Sequence, residues 1–314
     1  MTRFGRTIVT MGMLLGLAAP AARPAAAQEH APEAASSQID ITHHLGNSHE
    51  IELPVIGAVE LPRVAPVHLG GLTLDFSPTK HLIFMLLAAT LVTLVFVLSA
   101  RSIARAQAAG RPATGFAGAM EATALYIRQE VILPNVGHHG EGFVPYLLTL
   151  FFFILAMNLL GLLPGGATAT GNIAVTAALA VMAFVVIEVT GMRTLGPTGY
   201  LKTIFYLPQG LPGGIGGNAL KVLLLAVMTP IELIGKLAKP FALAVRLFAN
   251  MTSGHVLVLA LIGLTFLFKS YTVGVAASLL ATGVMLLELF VAFLQAFVFT
   301  LLTSVFIGLM RAEH

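Results

Sequence analysis

The chain has 314 residues, 57% of them hydrophobic and only 10% charged, with a mean hydropathy of +0.91. A soluble domain carries about 25% charged residues, so too little polar surface is present for a water-soluble globule, and the long, unalternating apolar runs exclude an outer-membrane barrel. The net charge of +3 comes from basic residues beside apolar runs, where membrane topology rather than nucleic acid accounts for them, and the lack of cysteine excludes disulfides and thiolate chemistry.

In chain order, Arg3 and Arg6, the apolar residues 8–19 and Ala25-Ala26-Ala27 before Gln28 predict a signal peptide over 1–27. Residues 28–80 are polar and Pro-rich and carry His30, His43, His44, His49 and His68. This segment is expected to be a weakly ordered extracytoplasmic tail. The histidine spacing fits no helical or finger site, so neither a metal nor any other cofactor is expected. The membrane domain is expected over 81–314.

Residues 82–100 form a 19-residue run without a charge, enough to cross a ~30 Å hydrocarbon core. Arg101, Arg105 and Arg111 follow, and the positive-inside rule places them in the cytoplasm. An exported N-terminus gives the same orientation. Over residues 115–132, Phe116, Met120, Ala124, Ile127 and Val131 recur at helical spacing, with Glu121, Arg128 and Gln129 elsewhere on the wheel. That pattern predicts an amphipathic helix at the cytoplasmic interface. Residues 137–141, with His138, His139 and Glu141, read as a solvated turn.

Residues 143–163 predict a second span, and residues 172–189 a third that carries Glu188 near its end. Arg193 and Lys202 fall in the stretch after it. Residues 218–264 show no strong turn signal apart from Pro230 and Pro240. Roughly 45 helical residues extend almost 70 Å, far more than a perpendicular span needs. The segment therefore folds back as a hairpin or tilts strongly. Residues 274–310 pose the same question. The expected fold is an all-α polytopic membrane protein with about five membrane helices, the last two long and tilted, plus the interfacial helix.

Charges at membrane depth carry the functional signal, because Arg at a helix centre costs about 2.5–3.5 kcal/mol on insertion scales. Arg246 lies among small and apolar residues, with no acidic residue three or four positions away. Asn250 shares its helical face and is placed to orient it. His255 and Glu288 are titratable groups in apolar surroundings, a pattern that suggests a proton relay. Gln295 follows Glu288 by two turns. Glu232 precedes Arg246 by fourteen residues, on a similar face about 21 Å away.

Three motifs then carry a resemblance. The stretch from Glu232 through Lys239-Pro240 to Arg246-Leu247-Phe248-Ala249-Asn250-Met251 resembles the signature helix of the subunit a family of bacterial F-type ATP synthases. Asn158-Leu159-Leu160-Gly161-Leu162-Leu163-Pro164 is similar to that family's N-L-x-G-L-x-P helix end, and Leu294-Gln295-Ala296-Phe297-Val298-Phe299 to its final-helix motif. The resemblance covers about residues 80–314. It implies a non-enzymatic stator subunit of the Fo sector in the bacterial inner membrane, with its N-terminus outside and its C-terminus in the cytoplasm. The implied partners are the c-ring, the subunit b peripheral stalk and the rest of the F1Fo complex.

The resemblance also implies roles. Arg246 is the stator arginine that faces each passing c-ring carboxylate. Asn250, His255, Glu288 and Gln295 line the periplasmic proton half-channel, and Glu232 the cytoplasmic one. Many bacterial members carry Glu first and His second at the positions of His255 and Glu288, so the order here is reversed. Gly161 stands where some members have Asp. A secondary ion transporter is the alternative reading, but the sequence shows no internal repeat.

Overall fold

The computed structural model describes residues 50–53, 57–60, 62, 67–69, 72–74, 77–137, 140–163, 168–205 and 215–312. The expected signal peptide lies outside the described residues, as do His138 and His139.

Six helices carry the membrane domain: α1 (Lys80–Ala108), α2 (Gly115–Tyr126), α3 (Val144–Gly161), α4 (Ile173–Ile204), α5 (Ile215–Phe268) and α6 (Tyr271–Ala312). All except α2 are long and apolar enough to span a bilayer, which gives the five expected crossings. The protein is an all-α polytopic membrane protein in its membrane domain. The described part of the tail carries short strands. Strands β1 (Glu50–Leu53) and β2 (Gly57–Glu60) pair antiparallel, and so do β3 (Val67–Leu69) and β4 (Leu72–Leu74). These two short hairpins stand in a segment expected to be weakly ordered.

Local chemistry sets the helix ends. Thr79 caps α1 by accepting from the Leu82 amide, and Asn172 caps α4 by accepting from the Ala174 amide at 2.9 Å. Pro145 occupies the first turn of α3, where its missing N–H costs nothing. The third span was expected to stop near residue 189; its helix continues past Arg193 to Gly196, and a second short helical piece carrying Lys202 reaches Ile204. A kink at Gly196, with φ of 70°, followed by Pro197, lets the chain turn and resume its helix.

The α2 segment packs through Ala117, Met120, Ala124, Ile127 and Val131. Phe116, on the apolar face expected at the membrane interface, is exposed, and Ala117 beside it is buried. A π-helical stretch, Ile127–Ile132, follows and leads into a last α-turn, Leu133–Val136. The wider π turn rotates the wheel at that point.

The fold-back alternative for residues 218–264 does not occur. The α5 helix is continuous for 54 residues despite Pro230 and Pro240, and α6 runs for 42. At 1.5 Å per residue they measure about 80 and 63 Å, so neither fits a ~30 Å core without tilting or curving. A two-residue turn joins them, with Lys269 in the left-handed region at φ 47°.

The core centres on α3, whose Leu147, Ile154, Met157 and Asn158 are fully buried. By contrast α5 and α6 expose a broad apolar face that includes Ile234, Phe241, Leu279, Leu286 and Phe290. The helices order the molecule into two ends. One holds the start of α1, the end of α3 and the start of α4. The other holds Arg101 and Arg105 near the end of α1.

Candidate functional site

Three polar groupings lie along α5, each made with a neighbouring helix. The first surrounds His255. Its Nδ1 is 2.6 Å from Glu288 Oε1 on α6 and 3.1 Å from the Met251 carbonyl. Its Nε2 is 3.0 Å from the Gly161 carbonyl and 3.1 Å from Thr168 Oγ1. Carbonyl oxygens only accept, so both ring nitrogens are placed to donate, which suits an imidazolium paired with the Glu288 carboxylate. Glu288 is 5% exposed. The sequence-predicted acid–imidazole pair therefore exists as a contact across the α5–α6 interface.

Two glycines make room for it. A Cβ at Gly254 falls 2.8 Å from the Glu288 carboxyl carbon. A Cβ at Gly161 overlaps the Thr168 side chain. An aspartate at that position, present in some members of the resembled family, is thus incompatible with Thr168 as placed here. Beyond Thr168, its carbonyl is 3.0 Å from Nδ1 of the buried His81 on α1. Neither Thr168 nor His81 was singled out from sequence. Both become polar partners only through contacts spanning 87 residues.

In the second grouping, Asn250 Nδ2 donates to Gln295 Oε1 at 3.0 Å. The expectation that Asn250 orients Arg246 is not met, because its amide hydrogen bond goes across to α6. Gln295 is fully buried, one turn beyond Ala292. The Ala292 carbonyl accepts from Asn158 Nδ2 at 3.2 Å, and Asn158 Oδ1 accepts from Thr170 at 2.8 Å. Asn158 opens the helix-end motif noted in the sequence and was missed as a site residue.

Arg246 lies between these groups and the far end of α5. It is exposed, and among the described residues it forms no ion pair. Its own face carries Ala242, Ala249 and Ser253, all small and exposed. That face lets another helix come close to the guanidinium.

The third grouping lies ten residues before Arg246. Lys236 Nζ is 3.6 Å from Glu188 Oε2 on α4, with both side chains buried. Tyr200 donates its hydroxyl hydrogen to the same carboxylate. Lys236 also donates to Thr203 Oγ1 at 3.3 Å and sits 4.4 Å from the centre of the Tyr200 ring. Sequence reasoning chose Glu232 on this side. Glu232 is half-buried and, among the described residues, has no ion-pair partner.

With this geometry in view, the comparisons are specific. Residues 82–308 match the family model described as ATP synthase A chain. The chain belongs to the ATP synthase subunit a family. It is 43% identical over 274 residues to ATP synthase subunit a 2 of Chlorobaculum tepidum, spanning 87% of this chain and 73% of that one. It is 40% identical to ATP synthase subunit a of Chloroherpeton thalassium, over 91% of this chain and 79% of that one. A more distant relative, ATP synthase subunit a of an Anaeromyxobacter species, is 37% identical over 88% of this chain. Membership of the subunit a family makes the chain a membrane-embedded Fo component with a part in proton translocation, not an enzyme by itself.

Proposed function

We propose that this chain is the stator against which a c-ring turns, with Arg246 as its fixed charge and a proton half-channel on either side. The exposed Arg246 on a small-residue face, with no ion pair among the described residues, carries the reading. A guanidinium in an apolar membrane region needs a counter-charge. A carboxylate on a neighbouring rotor helix supplies it.

The orientation follows the positive-inside rule, with Arg101, Arg105 and the C-terminus in the cytoplasm and the N-terminus outside. Protons enter from the periplasm through the His255–Glu288 pair and the Asn250–Gln295 contact, and neutralise the rotor carboxylate. The neutral acid then moves into lipid at low cost, which an ionised one cannot do. On return, Arg246 favours the ionised form, so the proton leaves toward the cytoplasm, on the side of Glu232. Because arginine stays protonated, it also interrupts any direct proton wire. The membrane potential supplies about 2.3 kcal/mol per charge per 100 mV.

The test is Arg246→Ala in the whole ATP synthase, assayed for ATP-driven acidification of inverted membrane vesicles. Loss of acidification in an assembled complex is expected. Wild-type acidification in that variant overturns the reading. Co-purification of the chain with a c-ring and a subunit b stalk, rather than alone, separates a stator from a transporter.

A further inference from the structure

The buried cluster of Glu188, Lys236, Tyr200 and Thr203 has no part in the entry path, yet it is the more demanding of the two ion pairs on α5. An intramembrane charge pair is costly to bury and marks a functional site. Its placement mirrors the entry pair. Lys236 lies ten residues before Arg246 and His255 nine after it, about 15 and 14 Å along the helix. Each pairs with a carboxylate on a neighbouring helix, Glu188 on α4 and Glu288 on α6. A cavity between α4, α5 and α6 adjoins the cluster, lined by Glu188, Lys236, Lys239, Pro240, Leu243 and Phe306. Leu243 is one turn from Arg246. The cavity thus joins the cluster to the turn of α5 that precedes Arg246, which does not itself line it. Glu232, on the same helix, does not line it.

We infer that Glu188 is the proton-accepting carboxylate of the cytoplasmic half-channel, held in place by the positioning residues Lys236 and Tyr200. This rests on the stator reading above and refines its exit side. In the synthesis direction, the proton released by the rotor carboxyl beside Arg246 passes to the Glu188 carboxylate, which becomes a carboxylic acid. That acid gives the proton to cytoplasmic solvent and returns to the carboxylate. The Lys236 ammonium and the Tyr200 hydroxyl hold the carboxylate toward the cavity.

A single Glu188→Gln change leaves Lys236 as an uncompensated buried charge and can disturb assembly. The deciding variant is therefore the double change Glu188→Met with Lys236→Met, because replacing both members of a buried pair by apolar residues is commonly neutral or stabilising. The complex is assayed in inverted vesicles for ATP-driven acidification, and in F1-stripped vesicles for passive proton flow. Glu188→Asp and Arg246→Ala serve as companions. The double variant is expected to assemble with its c-ring and to lose proton flow about a hundredfold, the low end of what a positioned acid–base group supplies. Glu188→Asp is expected to retain most of it. Wild-type proton flow in the double variant, alongside a dead Arg246→Ala, overturns the role of Glu188 and leaves the stator reading standing. Proton pumping in Arg246→Ala overturns the stator reading itself.

Discussion

His255 and Glu288 meet at 2.6 Å across the α5–α6 interface, and the imidazole is held from its other side by the Gly161 carbonyl at 3.0 Å. The pair is a contact between two helices rather than two separate stations. Either residue order therefore places one acid and one imidazole at the same point. Removing the acid leaves the ring with two carbonyls and the Thr168 hydroxyl, and no carboxylate to exchange a proton with. Glu288→Gln is expected to slow ATP-driven acidification about a hundredfold in an assembled complex. Quenching of a pH-sensitive dye in inverted vesicles measures this, and the c-ring content of the purified complex checks assembly.

The two glycines around this pair are expected to fail in different ways. A methyl at Gly254 meets the end of a flexible side chain, with Glu288 Oε1 at 2.9 Å. The carboxyl swings away from His255 and the fold survives. Gly254→Ala should thus depress proton flow while the thermal stability of the complex barely changes. At Gly161 a methyl meets the Thr168 backbone, with Cα at 2.8 Å, and a main-chain segment must move. Overpacking of that kind costs about 1–3 kcal/mol. Gly161→Ala should lower both thermal stability and proton flow, and a thermal-shift assay on the detergent-solubilised complex separates the two variants.

Asn250 and Gln295 give a milder prediction. Gln295 is fully buried, and its Oε1 accepts from Asn250. Asn250→Ala strands that oxygen, at a cost of about 1–3 kcal/mol. Gln295→Leu removes the need for the donor and fills similar volume. Asn250→Ala is expected to destabilise the complex, and adding Gln295→Leu should recover part of that loss. A double-mutant cycle on melting temperature tests the coupling.

Much of the fold was legible because hydrophobic run length is a one-dimensional signal. The five spans, the extra length of α5 and α6 and the charges within them follow from counting. What escaped depends on packing. The third span runs past residue 189 to a kink at Gly196, beyond which a separate helical piece reaches Ile204. Phe116 fits the apolar face of an interfacial helix, but that its neighbour Ala117 is the residue buried against the protein depends on the fold. The His255–Glu288 pair was readable because both residues are anomalous in apolar sequence. Glu188 was equally anomalous, yet its partner lies 48 residues on and Lys236 sits among other lysines. Only the α4–α5 contact picks it out. Thr168 and His81 are ordinary residues until the fold brings them to the imidazole.

The sharpest discrimination concerns the kind of cation at position 246. Arginine and lysine carry the same charge but differ in proton chemistry. A guanidinium stays protonated in any protein environment, whereas an ammonium loses its proton readily in an apolar site. Position 246 is exposed on α5 between the Lys236–Glu188 and His255–Glu288 pairs, so a group that can give up a proton there joins the two paths. Arg246→Lys is thus expected to do more harm than the loss of attraction alone. ATP-driven acidification should fall to background, and F1-stripped vesicles should leak protons faster than those carrying Arg246→Ala, where no titratable bridge exists. Passive proton flow under an imposed potassium diffusion potential compares them directly. Equal, low leak in both variants implies that charge alone matters at this position, and rapid leak only in the lysine variant identifies permanent protonation as the property that the site requires.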